Sequence, residues 1–272
     1  MVLLTTLQIA KAAIGVAAVS LLLSATVVTA AEPEPAVKRL AVADPARILF
    51  VGNSYLYYGD SLHNHVRRMA IAAGIHEQTT LKYKSVTISG GALADHEIEN
   101  YLKLGKLRVK DGFQVVVLQG GSAAPLSDKR RKEFLETVRE FDKEIRDRGG
   151  VTALYMTHAY VKPHKKFAPG MIDDISRLYI EAGNAVGALI IPVGLGFEEA
   201  YKRRPDLQLH KSFDGSHPDL IGTYLAACIV YASLYSKPAT GNPYDYYGKI
   251  DKETVAFLQK VADDTVAKFY GR

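Results

Sequence analysis

Five short apolar runs separated by amphipathic stretches predict an α/β protein, with a five-stranded parallel sheet and helices on both of its faces. Two further observations support that class. The 272-residue chain is 48% hydrophobic and 23% charged, the balance of an ordinary folded protein. It also carries no internal repeat or low-complexity tract, so the strand and helix units join in one continuous series.

The elements follow in order. Ile48-Leu49-Phe50-Val51, bounded by Arg47 and Gly52, reads as a strand buried on both sides, because every position is apolar. Leu62, Val66, Met69 and Ala73 recur at helical spacing, with Asp60 or Ser61 as N-cap and Gly74 as the stop. A weaker strand over 81–88, a helix over 94–104 and a strong strand over 113–118 come next. Phe134, Val138, Phe141 and Ile145 form the stripe of a long helix whose Lys129-to-Lys132 run is its solvated face. Strands over 151–156 and 188–192 enclose a helix over 171–182. Residues 220–235 are apolar nearly all round but short for a membrane span, which fits a buried helix with Cys228 as inert packing. A last helix over 252–269 presents Val255, Leu258, Ala262 and Val266 on one face.

Residues 1–30 contain one charged side chain, Lys11, then an apolar run over 12–23 and small residues ending Val28-Thr29-Ala30. They read as a secretory signal peptide cleaved after Ala30, which makes the protein secreted or periplasmic, with no stable membrane span after cleavage. An uncleaved membrane anchor is the competing reading, since the first residues are weakly charged and the leader is almost long enough to span a bilayer. Residues 31–45, with Pro33 and Pro35, read as an exposed lead-in, and 46–272 as a single domain. The 34 basic and 29 acidic residues give a net charge of +5, and the basic residues are dispersed, so no nucleic-acid partner is implied. The single cysteine excludes an intramolecular disulfide framework and a Cys-rich zinc site.

In open parallel sheets the chemistry gathers where loops leave the carboxyl ends of the strands. The first such loop, Gly52-Asn53-Ser54-Tyr55, is neither a phosphate loop nor a dinucleotide fingerprint. It places a serine at a sharp strand-to-helix transition, with backbone N–H groups available to an anion. Near the other end, Asp214-Gly215-Ser216-His217-Pro218 carries an aspartate and a histidine three residues apart before the buried helix. A serine hydroxyl becomes nucleophilic when an imidazole accepts its proton and a carboxylate orients that imidazole.

Gly52-Asn53-Ser54 after the first strand, Ser89-Gly90-Gly91 after the second, the polar loop after the third and Asp214-to-Pro218 before the closing helices together resemble the SGNH (GDSL-type) hydrolases. The resemblance spans nearly the whole mature chain. It implies a flavodoxin-like three-layer αβα sandwich and ester-cleaving chemistry without a metal or other cofactor. By that resemblance Ser54 is the nucleophile, His217 the general base and acid, and Asp214 its orienting carboxylate. The oxyanion hole would combine the Ser54 N–H, a glycine N–H from the second block, either Gly90 or Gly91 with Gly90 favoured, and a side-chain amide after the third strand. This sequence departs from the family pattern at two places. Asn53 replaces the aspartate of the signature, and Gln119 stands where an asparagine is expected, so Gln119 is assigned the third donor.

Asn53, Tyr55 and His158 are read as substrate-binding candidates, and Tyr55, Tyr57 and Tyr58 as an apolar or sugar-stacking wall or as packing beneath the loop. His63 and His65 are read as surface residues, and His164, His210 and His217 lack the spacing of a metal site. The expected activity is hydrolysis of a small-molecule or carbohydrate ester through an acyl-enzyme. The competing readings are a noncatalytic carbohydrate-binding or scaffold protein, motivated by the missing asparagine, and an O-acyltransferase.

Overall fold

The computed structural model describes residues 33–272; the leader read over residues 1–30 lies outside the described residues. Strands β1 (Arg47–Gly52), β2 (Lys82–Thr87), β3 (Val115–Leu118), β4 (Val151–Tyr155) and β5 (Leu189–Ile191) pair in parallel in the order β2-β1-β3-β4-β5. This is the flavodoxin-like order, whose switch point lies between β1 and β3. The helices are α1 (Ser54–Tyr57), α2 (Leu62–Ala72), α3 (Ile98–Tyr101), α4 (Asp128–Arg146), α5 (Met171–Val186), α6 (Val193–Arg203), α7 (Leu220–Tyr235) and α8 (Lys252–Tyr270).

Alternation along the strands divides the core into two layers. Ile48, Phe50, Val115 and Val117 point to the face covered by α2, α6, α7 and α8. Leu49, Val51, Val116 and Leu118 point to the face covered by α3, α4 and α5. Helix α7 is buried along nearly its whole length between α2, α6, α8 and the sheet, which explains a composition apolar on every side. Among the described residues no helix is long and apolar enough to cross a membrane.

Three segments differ from the sequence reading. The helix expected over 94–104 is a 3₁₀ turn at Leu93–Asp95 followed by the single turn α3. His96 between them is extended (φ −91°, ψ 141°), and its imidazole donates to the Gly52 carbonyl at 2.9 Å, which draws the chain out of a helical path. Helix α6 was not expected. Gly194 and Gly196 obscure its stripe of Val193, Phe197 and Ala200, yet a Cβ at Gly194 would strike the Thr157 carbonyl oxygen, so close packing on the loop after β4 demands glycine there. The segment over 31–45 is tied down where it is described, rather than only exposed. Asn184 accepts from Ala36 N–H (2.8 Å) and donates to the Glu34 carbonyl (2.9 Å), while Pro35 and Pro45 are buried.

Cys228 is fully buried in α7, and burial pushes its thiol well above the usual range. It should therefore stay unreacted with a thiol-specific disulfide reagent in the folded protein and react stoichiometrically once denaturant is added. Rapid modification under native conditions would contradict this packing.

Candidate active site

The turn leaving β1 sets the site. Asn53 is the N-cap of α1, and its Oδ1 accepts from Tyr55 N–H at 3.1 Å. That turn leaves Ser54 at the first helical position, 6% exposed, at the carboxyl edge of the sheet. From the loop before α7, His217 Nε2 lies 2.8 Å from Ser54 Oγ, and His217 Nδ1 lies 2.5 Å from Asp214 Oδ2. The other Asp214 oxygen accepts from Ser216 N–H (2.8 Å) and His217 N–H (3.0 Å). Burial pushes the Asp214 carboxyl up, but the hydrogen bonds from His217 and these two amides outweigh it and hold it below the ordinary carboxylate value. One carboxylate thus shapes the loop and fixes the imidazole with Nδ1 facing it.

Gly215 makes the short Asp-to-His spacing workable. Its φ is +63°, and a Cβ there would collide with the Val161 carbonyl, whose own amide donates to the Gly215 carbonyl at 2.9 Å. The loop after β4 therefore supports the loop that carries Asp214 and His217. Tyr58 stacks on the His217 ring at 4.2 Å between centroids, which places this tyrosine against the imidazole.

Ser54 and His217 open into a cavity of about 370 Å³. One wall consists of Gly90, Gly91, Ala92 and Leu93 from the loop after β2, and another of Gly121, Ser122, Ala123 and Ala124 from the loop after β3. Arg130, Glu133 and Thr137 from the start of α4 add polar groups, and Tyr160 and His164 close the side after β4. Asn53 and Tyr55 also line this cavity. Tyr57 is partly exposed, with its hydroxyl 3.1 Å from Ser89 Oγ.

Two candidates lie elsewhere than expected. Gln119 is 1% exposed and does not line the cavity. Its Oε1 accepts from Asn53 N–H at 2.9 Å, and its Nε2 donates to the Gly120 carbonyl. Because an N–H can only donate and a carbonyl can only accept, these partners fix the amide's orientation away from the cavity. The longer glutamine side chain reaches back under the turn instead of forward into the site. His158 is likewise buried, at 1% exposure, and does not itself line the cavity; it sits behind the lining residues Tyr55 and Ser216. Its ring is sandwiched between Tyr55 and Phe197, with centroids 4.3 Å away on each side.

The remaining histidines were read as surface or unassigned residues, and the structure corrects His65. It is fully buried, donates from Nε2 to the Gly59 carbonyl (2.7 Å), and stacks on Tyr246. His210 donates from Nε2 to the Ala159 carbonyl (3.1 Å) and so accepts from Tyr201 Oη at Nδ1 (2.7 Å). Among the described residues no group of three His, Cys, Asp or Glu side chains is placed to hold a metal. A spacing of residues in the sequence does not reveal such carbonyl partners, since each lies at least six residues away along the chain or on another loop.

No family model and no curated protein matches the sequence. Solved structures do. A DUF4886 family protein from Bacteroides uniformis is 22% identical, with 82% of this chain and 95% of that chain covered at a TM-score of 0.59. A Slackia heliotrinireducens protein assigned to the SGNH hydrolases is 20% identical, covering 69% of this chain and 97% of its own at 0.54. An acetyl xylan esterase is 17% identical, with 68% and 98% covered at 0.53. The fold is that of the SGNH (GDSL-type) hydrolases.

Two measurements check this arrangement. Gln119→Ala leaves the Asn53 N–H buried without a partner, so the unfolding free energy in urea should fall by ~1–3 kcal/mol. Unchanged stability with an approximately 10²- to 10³-fold loss of kcat would instead mark the amide as an oxyanion donor. Burial holds His158 well below, and His210 at about 4, against the ordinary histidine value. The unfolded chain takes up protons on both near pH ~6.5, whereas the folded chain does so only at lower pH, so stability is full above ~6.5 and declines as the pH falls below it. The urea midpoint should drop between pH 7 and 5; a flat profile would mean that these imidazoles protonate freely in the folded state.

Proposed function

We propose that this protein is an exported serine hydrolase that cleaves carboxylic esters through an acyl-enzyme, with carbohydrate-linked short acyl groups as its substrates. The observation that carries the reading is the continuous hydrogen-bond chain from Ser54 Oγ through His217 to Asp214 at the mouth of a cavity. Ser54 Oγ attacks the ester carbonyl while its proton passes to His217 Nε2, and Asp214 balances the charge of the imidazolium. The tetrahedral intermediate collapses, His217 returns the proton to the leaving alcohol, and a water activated by the same imidazole releases the acid and restores Ser54.

The oxyanion is received by backbone N–H groups. Ser54 supplies one at the start of α1. Of the two glycines after β2, Gly91 already donates to the Ile88 carbonyl (3.1 Å), which favours Gly90. With Gln119 turned under the loop, the Gly121 N–H on the facing wall is assigned the third position.

The small side chains of Ala92, Ala123 and Ala124 suit a short acyl chain, and the polar Arg130, Glu133 and Thr137 suit the hydroxyls of a sugar alcohol. The acetyl xylan esterase among the similar structures agrees with that choice. Export is proposed from the leader pattern of residues 1–30.

Treatment with a fluorophosphonate should add one adduct, localised to Ser54 by peptide mass. Ser54→Ala should abolish labelling, and Ser54→Ala and His217→Ala should each remove nearly all p-nitrophenyl acetate hydrolysis. A wild-type protein that remains unlabelled beside a labelled control esterase would defeat the assignment.

A further inference from the structure

The residue between the orienting carboxylate and the general base is held at every polar atom. Ser216 N–H donates to Asp214 (2.8 Å), its Oγ lies 2.8 Å from Tyr55 Oη, and its carbonyl accepts from His158 Nε2 at 2.9 Å. The Ser216 carbonyl and the His217 N–H belong to one planar peptide unit. Asp214 Oδ1 takes the N–H of that unit (3.0 Å), and His158 takes its C=O. The plane from which the His217 side chain springs is therefore pinned at both edges.

The surroundings of His158 show what its imidazole contributes. Tyr55 and Phe197 stack on its two faces at interplanar angles of 10° and 8°, and His210 meets it edge-on at 4.7 Å. A phenyl ring would satisfy all three contacts. His158 Nδ1 is buried with no hydrogen-bond partner among the described residues, a cost that a phenyl ring would avoid. The one thing a phenyl could not supply is the Nε2–H donated to the Ser216 carbonyl.

We propose that His158 is a positioning residue, whose Nε2–H sets the Ser216–His217 peptide plane and so the approach of His217 Nε2 to Ser54. Tyr55 makes the arrangement reciprocal. It follows the nucleophile directly, covers one face of His158 and reaches the hydroxyl of Ser216, so nucleophile and base are registered through the same buried stack.

This proposal rests on the esterase reading, and the test separates the two. Two substitutions at one site move in opposite directions. His158→Phe keeps the stacking and loses the donor, while His158→Gln keeps a donor near the Nε2 position and loses the ring. With p-nitrophenyl acetate, His158→Phe should lower kcat by about ten- to a hundredfold with KM within about threefold, and its melting temperature should stay close to wild type. His158→Gln should recover most of the kcat despite a lower melting temperature. The reverse order, with Phe active and Gln inactive, would reduce His158 to packing and overturn the proposal. Should either variant fail to fold, a long-range ¹H–¹⁵N spectrum of the wild type decides: an Nε2–H tautomer at His158 is required, and an Nδ1–H tautomer refutes it. A wild type that takes no fluorophosphonate removes the esterase reading and this proposal with it. A labelled wild type beside variants of equal kcat removes the positioning role alone.

Discussion

The turn from β1 into α1 is buried, and every polar backbone atom it carries must find a partner away from water. The Gly52 carbonyl accepts from Ile88 N–H (3.0 Å) and from His96 Nε2 (2.9 Å). Asn53 N–H is taken by Gln119 Oε1, and the Asn53 side chain donates from Nδ2 to the Gly91 carbonyl (3.0 Å). Loops from β2 and β3 thus converge on the turn to satisfy it, and their convergence is what walls the cavity. The asparagine is a chemical choice as well. A carboxylate at position 53 would present an oxygen to the Gly91 carbonyl and hold no proton to donate, so the departure from the Gly-Asp-Ser signature is matched to the path of the second loop.

Four histidines around this end of the sheet share one role. His65, His96, His158 and His210 each donate from Nε2 to a loop carbonyl: Gly59, Gly52, Ser216 and Ala159. Burial lowers the proton affinity of all four, so each acts as a neutral donor rather than a cation. An imidazole suits this task because it joins an aromatic body that packs in an apolar layer to one directed N–H. His217 differs in its setting: it is partly exposed, faces a carboxylate and opens on the cavity.

This division explains what was legible in the sequence. Four of the strands, β1, β3, β4 and β5, were readable because their runs are largely apolar and bounded by breakers. Strand β2 was read more weakly because Lys82, Lys84 and Ser85 interrupt its run, and α2, α4, α5, α7 and α8 were readable because their stripes or all-round apolarity are unbroken. Ser54, Asp214 and His217 were legible as a set only through the family resemblance carried by Gly52-Asn53-Ser54 and Asp214-to-Pro218, because either motif alone is common. In the structure their side chains meet in one hydrogen-bonded chain. Helix α6 was missed because its glycines answer to Thr157 and Ile229, neighbours remote in sequence. Gln119 was placed in the site for its side-chain amide, and His158 for its position just after the fourth strand. Each spends its side chain on a backbone group of another loop, a partner that only the folded chain brings near.

The same bonds define where specificity can reside. The Ser54 turn, the Gly91 carbonyl, Gln119 and the Ser216–His217 plane are held from several directions, so altering any of them disturbs the placement of Ser54 against His217. Arg130 and Glu133 are exposed on the first turns of α4, line the cavity and make no ion pair among the described residues. Phe213, 69% exposed beside Asp214, is likewise unconfined. Arg130 and Glu133 face the cavity without supporting the turn. If the site cleaves esters as proposed, the small-residue walls set by the backbones of the converging loops would limit the acyl group, while the rim would limit what it is attached to. On that proposed reading, acyl length and alcohol identity would be governed by different elements of one fold, and substitutions at Arg130 or Glu133 would redirect the second while leaving the first and the Ser54–His217 geometry in place.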